Sequence, residues 1–418
     1  MRVRFFSRLP RLFHLGDRTM FERKIVQIIA FILVAGAAGY AQAQSFVRLL
    51  PEATTLSTEE NNELKAIKSL PTTEWARLAE VDPEQLKKGG DVTFDLGEGR
   101  SLSLSGNDKV AATARDFVWS GEEKAANRSN AESPANAVVT VDGNEVSATI
   151  RTNEELYSIE PIGGGAHVMI KVATDRLPPD HTERRLQRRG EKREMPGREL
   201  RKADRAVATI RVLVFFTPKA KAQISNIALF AKQAVNETNT AFAKSSVNAR
   251  VELADAQVVQ YTETGSQKRD TARLTARRDG YMDGIHAIRD RTKADLVLLI
   301  TTDRGECGWS QQVYANAASA FASNYFDCSI KNLSFAHEIG HLLGACHNVE
   351  DSSGCPFAYG HGYRNEPQRK QSVMAYPCRR VTCVRQPQWS RPPDWGNARR
   401  ADVVRLLNAT AGRAAAFR

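Results

Sequence analysis

Residues 182–205 read TERRLQRRGEKREMPGRELRKADR, with ten Arg or Lys and only four apolar side chains. A stretch of that composition cannot bury enough surface to stay ordered, so no hydrophobic core is expected to run through it. It divides the 418-residue chain into two units, 44–181 and 206–418, each long enough for a core of its own. The charge changes sign across it: the formal net charge is −9 over 44–182 and +10 over 206–418. An acidic unit followed by a basic one suggests two bodies that attract each other. The linker is also an open target for proteases that cut at paired basic residues. The total of +11 raises nucleic-acid binding, but no zinc knuckle, basic helix or aromatic–basic stripe accompanies it, and no nucleic-acid partner is expected. Hydrophobic and charged shares of 42% and 26% are those of a soluble globular protein.

The first 43 residues carry an address. Arg23 and Lys24 precede the apolar run IVQIIAFILVAGAAGY (25–40), and Ala41-Gln42-Ala43 matches the small-x-small cleavage pattern of a secretory signal. The run is short for a membrane span of ~20 residues. Met20 stands just before it, so 1–19 read as an over-extended start. The expectation is an exported protein, secreted or periplasmic, without stable membrane insertion once processed. All six cysteines (Cys307, Cys328, Cys346, Cys355, Cys378 and Cys383) lie in the last third. An even number in an exported chain predicts three disulfides, and proximity pairs them 307–328, 346–355 and 378–383. A thiolate zinc site would need C-x-x-C spacing, which the sequence lacks.

In the acidic unit, the stretch 59–86 is polar and helix-like. Beyond residue 90, VTFDL, SLSLS, AVVTVDGNEVSATI and AHVMIKVA read as strands, with Asp142-Gly143 as a hairpin turn. Gly163-Gly164-Gly165 lacks the GK[ST] of a phosphate loop and reads as a turn. In the basic unit, strands at 207–217, 251–261 and 295–301 alternate with helices at 221–245 and 271–292, the second broken at Gly280. A more polar strand is expected at 319–326, and a closing helix near 397–416. Alternation of this kind predicts an α/β domain with a largely parallel sheet.

Within that unit, residues 337–347 read HEIGHLLGACH. On an α-helix, i and i+4 share a face, so His337 and His341 can reach one metal ion. Glu338 projects about 100° away around the axis, beside the metal without ligating it. Gly344 supplies the positive φ of a sharp turn, which delivers His347 from beyond the helix. Three imidazoles with one open position describe a catalytic zinc, since structural sites close all four. Chance would produce this spacing in roughly one chain in 10⁵ of this composition. A histidine-rich core helix is the plainer alternative, but each clustered imidazole would then need its own buried partner.

HEIGHLLGACH resembles the extended zinc signature of the metzincin metalloproteases. SVMAYP (372–377) resembles their Met-turn, with Met374 placed 27 residues after His347. The order of elements and the closing WSRP…NARRADVVRLLNATAGRAAAF resemble reprolysin- or adamalysin-like bacterial members over about 206–418. The region 138–180 is similar to the propeptides of such secreted zymogens. The resemblance implies a twisted, mostly parallel sheet with 319–326 as its substrate-binding edge strand, an active-site zinc helix and a Met-turn. Met374 would floor the zinc site, and Tyr376 matches a tyrosine that astacins and serralysins use as an extra ligand. The implied activity is endopeptidase cleavage of protein substrates, with one zinc ion, a zinc-activated water and Glu338 as general base. The acidic unit is implied to be the enzyme's own inhibitory or chaperoning propeptide, cut off within 182–205. No cysteine precedes Cys307, so a thiol cannot plug the zinc; Asp91, Asp142 and His167 are available instead. The sequence departs from reprolysin-like members at Asn348, where Asp is common. His361 is a weaker candidate ligand. A zinc hydrolase acting on a non-peptide substrate and a non-catalytic zinc-stabilised interaction module are the rival functions.

Overall fold

The computed structural model describes residues 45–111, 115–124, 133–180, 206–352 and 354–418. The signal segment 1–43 and the basic linker 182–205 lie outside the described residues.

The acidic unit is a closed barrel. Its strands are β1 (Val47–Leu49), β2 (Thr73–Val81), β3 (Asp91–Gly97), β4 (Arg100–Ala111), β5 (Asp116–Glu122), β6 (Asn136–Asp142), β7 (Glu145–Arg151), β8 (Leu156–Pro161) and β9 (His167–Val172). They run in the order β1-β2-β9-β8-β7-β6-β5-β4-β3. Every pairing is antiparallel except the one that closes the barrel, β1 against β3, with Val47 opposite Phe94. Alternation makes the interior: Phe94, Leu104, Trp119, Val139, Ile150 and Met169 point into one core. The opposite faces of β2, β8 and β9 present Leu78, Leu156, Val168 and Ile170 to helix α1 (Thr58–Ser69). Ser57 caps that helix through a full capping box with Glu60. A short helix α2 (Glu84–Lys87) precedes β3. Gly163–Gly165 is a 3-10 turn whose first amide donates to Glu63 at 2.8 Å, a carboxylate neighbour that no phosphate site would keep.

The stretch 59–86, expected to be helix-like, is helical at its two ends, in α1 and α2, and not in its middle. TEWARLAEV, rich in Ala, Glu, Leu and Arg, forms β2 instead. Propensity is overridden because β1 and β9 each need a partner, and β2 supplies ladder bonds to both.

The basic unit carries a five-stranded sheet. Strand β10 (Ala208–Phe216) lies between β11 (Ala249–Val258) and β12 (Leu296–Thr301), and β12 pairs with β14 (Phe321–Tyr325), all in parallel. A three-residue strand, β13 (Gly308–Ser310), pairs antiparallel with β14 and ends the sheet. The edge is therefore 308–310 rather than 319–326. Strand β14 is buried along its length and bonded on both sides, so it offers no free edge. The continuous apolar run of β10 follows from burial on both faces. Ile210, Val212, Val214 and Phe216 point to one core, Leu213 and Phe215 to the other.

Helices α3 (Pro218–Lys221), α4 (Ile227–Ser245), α5 (Gln267–Thr275), α6 (Ile285–Thr292), α7 (Phe326–Ser329), α8 (Ser334–Leu343) and α9 (Val403–Ala414) cover the sheet. The helix expected at 221–245 is interrupted, because Asn226 caps a new start at Ile227. Helices α4, α8 and α9 share the larger core with β10 and β12. The three disulfides pair as proximity suggests: Cys307–Cys328, Cys346–Cys355 and Cys378–Cys383. Among the described residues, no helix is long and apolar enough to cross a membrane.

The barrel rests on α4 through strands β6 and β7. Their outward residues are polar and buried: Thr140 bonds Gln233, Thr149 bonds Glu237, and Arg151 pairs with Glu237 at 2.9 Å. After β9 the chain leaves the barrel and crosses to the edge of the sheet, where the Cys307 amide donates to the Pro179 carbonyl at 2.9 Å.

Candidate active site

Helix α8 is buried at every position, with Phe335, Ala336, Ile339, Leu342 and Leu343 in the core. It stops at Gly344, whose φ of +114° lies in the left-handed region. The turn brings the chain back so that His347 meets His337 and His341. The three Nε2 atoms lie 3.0, 3.0 and 3.2 Å apart. The Cys346–Cys355 disulfide and a pair of backbone bonds between Cys346 and the segment Gly360–Gly362 hold the returning chain.

Main-chain carbonyls set the imidazole tautomers. His337 Nδ1 donates to Val373 O at 2.8 Å and His341 Nδ1 to Ala345 O at 2.9 Å, which leaves their Nε2 atoms as lone pairs facing inward. Converging lone pairs at 3 Å repel unless a cation sits between them. Tetrahedral ligands at about 2.0–2.1 Å from zinc are separated by about 3.3 Å, close to the spacing here. The donor set fits such an ion, and the three histidines form the metal-capable cluster among the described residues.

Met374 lies in the turn beneath the helix and is buried. Val373 in the same turn accepts the His337 proton, so the Met-turn also fixes the first histidine. Gly340 allows the close approach, since a Cβ there would lie 2.5 Å from Met374 Sδ and 2.8 Å from the Trp389 ring. The Tyr376 ring packs on His347, with centroids 4.2 Å apart. Asn348 Oδ1 accepts from the Tyr376 amide at 3.0 Å, tying the third histidine to the end of the Met-turn. His361 is outside the cluster: its Nδ1 contacts the His347 carbonyl at 2.8 Å.

Glu338 is buried beside the cluster, where Ser310 Oγ donates to its Oε2 at 2.6 Å. Burial pushes its carboxyl well above the usual range, and the Ser310 hydrogen bond offsets part of that. The charges of Asp180 and Glu306 push in the same direction as burial, and Arg385 opposes them. A carboxylate so raised is suited to accept a proton. Ser310 belongs to β13, and the sequence gives no local sign of its role.

Two further groups were not foreseen. Arg385 and Asp180 form a buried ion pair, with side chains 1% and 2% exposed. The guanidinium also donates to Asn332 O at 2.9 Å and Ala375 O at 2.8 Å, next to the start of α8 and inside the Met-turn. The carboxyl and histidine groups considered for latency lie elsewhere. Asp91 pairs with Lys124, Asp142 with Lys232, and His167 Nε2 accepts from the Val146 amide in the barrel.

Three imidazole nitrogens thus converge beside a buried carboxylate, with Met374 packed against the helix that carries two of them. Residues 206–392 match the model of the reprolysin-like metallo-peptidase family M12B, and the chain belongs to that family. It is similar to a peptidyl-Asp metalloendopeptidase of Xanthomonas campestris pv. campestris, 34% identical over 94% of this chain and 98% of that one. A peptidyl-Asp metalloendopeptidase of Stenotrophomonas maltophilia K279a is 32% identical over 94% and 97% of the two chains. A third, from Pseudomonas fragi, is 36% identical over 44% of this chain and its own full length. The protein is a metalloendopeptidase.

Proposed function

We propose that this is an exported, zinc-dependent endopeptidase, made as a zymogen, that hydrolyses protein and peptide substrates at bonds beside aspartate. The observation that carries the reading is the convergence of three imidazole nitrogens next to a buried carboxylate held by Ser310. The aspartate preference comes from the names of the related enzymes. His337, His341 and His347 would hold the ion, which when bound supplies Lewis acidity toward a peptide carbonyl and toward water.

The chain's own residues account for the remaining steps. Glu338 takes the proton of the attacking water and passes it to the leaving amine, while Ser310 keeps its carboxylate aimed. Strand β13 offers main-chain groups along which an extended substrate can pair, giving affinity with little sequence preference. Tyr376, packed on His347, would donate to the developing oxyanion. The barrel and the segment after it serve as the propeptide, removed by cleavage in 182–205, and the signal segment directs export. Three disulfides agree with an oxidising destination.

Glu338→Gln is expected to lower casein cleavage by about 10²–10⁴-fold while leaving bound zinc, measured by atomic absorption, at the wild-type level. Near-normal proteolysis by that variant would overturn the role of Glu338. A wild-type protein that binds zinc yet cleaves no polypeptide would favour the rival functions.

A further inference from the structure

The segment 177–180 follows the barrel and reaches the edge of the sheet beside β13. Pro179 pairs with the backbone of Cys307, the residue before β13. Its neighbour Asp180 sends a carboxylate to both terminal nitrogens of Arg385. The segment is thus held in two ways, by main-chain pairing beside the edge strand and by one buried ion pair. An extended peptide substrate would be bound in the same two ways.

Arg385 is the unusual member of this pair. Its two other partners are carbonyls, Asn332 O and Ala375 O, and Asp180 is the carboxylate paired with it among the described residues. The carbonyls fix the guanidinium between the start of α8 and the turn that holds Met374 without neutralising it. Once 45–180 departs, a guanidinium held by two main-chain carbonyls is left without that counter-charge, and a well-placed carboxylate can take it up. The site lies against the turn that holds Met374, through the Ala375 carbonyl, and Gly308, next to the amide that binds Pro179, packs against the Glu338 carboxylate, where a Cβ would lie 2.6 Å from Oε1. A carboxylate bound here therefore belongs to a residue close to the reacting bond.

We propose that Arg385 is the specificity-determining residue of this protease: it receives an acidic side chain flanking the scissile bond, and Asp180 fills that receptor in the uncleaved chain. The inference rests on the protease reading and adds the residue that selects the substrate, together with the device that keeps the enzyme latent. Asp180 works as a built-in substrate mimic, with the Pro179 carbonyl engaged by the Cys307 amide.

The test uses processed, zinc-loaded enzyme obtained from the full chain. Two peptide substrates that differ only by Asp or Asn beside the cleaved bond are compared by kcat/KM. Wild type should prefer Asp by roughly 100-fold or more, because a site made to bind a charged partner rejects its neutral analogue. Arg385→Gln should bring the ratio near one, and Arg385→Lys should restore part of it. A second measurement needs no variant of the enzyme. The C-terminally amidated peptide TDRLPPD (174–180) should inhibit wild type competitively, and TDRLPPN should not. Asp180→Asn in the full chain should raise peptidase activity before processing. An Asp/Asn ratio near one in wild type, a ratio unchanged in Arg385→Gln, or equal inhibition by the two peptides would each overturn the proposal. Absence of any peptidase activity in processed wild type would instead overturn the protease reading beneath it.

Discussion

Ser310 shows how much a single hydroxyl can set at this site. It holds one oxygen of Glu338 at 2.6 Å and lies 3.1 Å from the same residue's carbonyl. Ser310→Ala removes the bond that orients the carboxylate and partly offsets its burial. The expected outcome is a fall in kcat of about 10-fold with KM and zinc content little changed, since only part of the general-base contribution is lost. Steady-state kinetics with metal analysis check it; an unchanged kcat would remove Ser310 from the mechanism. The departure at Asn348 has a local cause as well. Its amide donates to Asp351 at 2.7 Å and Glu350 at 3.1 Å while its oxygen accepts from Tyr376. An aspartate there would meet two carboxylates at close range. The triad, Glu338 and Gly344 are readable in sequence because one helix and one turn position them. Ser310 lies 28 residues away from Glu338 and Asp180 lies 205 from Arg385, so nothing local marks them.

Among elements, helix α8 is the most constrained. Its apolar positions face the core, its histidines face the metal site, and Gly340 receives Met374 and Trp389. Gly340→Ala would force a methyl group to within 2.5 Å of Met374 Sδ. Overpacking of this kind costs about 1–3 kcal/mol. Thermal unfolding should show a Tm lower by several degrees, with zinc lost at lower chelator concentrations because the turn that fixes His337 is displaced. An unaltered Tm and zinc retention would mean that Met374 does not support the helix. A misread strand and an unread one have a common reason. Strand β2 looks helical by composition and β13 is only three residues long, and both are strands because neighbouring strands need partners. Pairing is a property of the sheet, and neither stretch carries it alone.

At the scale of the whole molecule, the acidic barrel and the basic protease unit meet across α4, as their opposite charges suggest. The contact is buried and specific, with Arg151 and Glu237 almost fully enclosed and Thr149 and Gln233 bonded to the same carboxylate. Burial itself raises the proton affinity of Glu237, and the Arg151 charge and hydrogen bonds oppose it. After trypsin nicks the basic linker, the two parts of wild type should co-elute on gel filtration. Arg151→Met leaves Glu237 as an unpaired buried charge, a loss of about 3–5 kcal/mol, and should weaken that complex by at least 10²-fold. Arg151→Met combined with Glu237→Leu should recover much of the affinity; if the single variant already binds like wild type, the pair does not secure the docking. The sequence by itself determined the alternation of the protease unit and the helix that carries His337 and His341 with its turn, because each is encoded by period or short spacing. The tertiary structure alone decided the closure of the barrel, the choice of β13 as the edge, and the meeting of Asp180 with Arg385. Those depend on surfaces from distant parts of the chain, brought together by burial that no short stretch records.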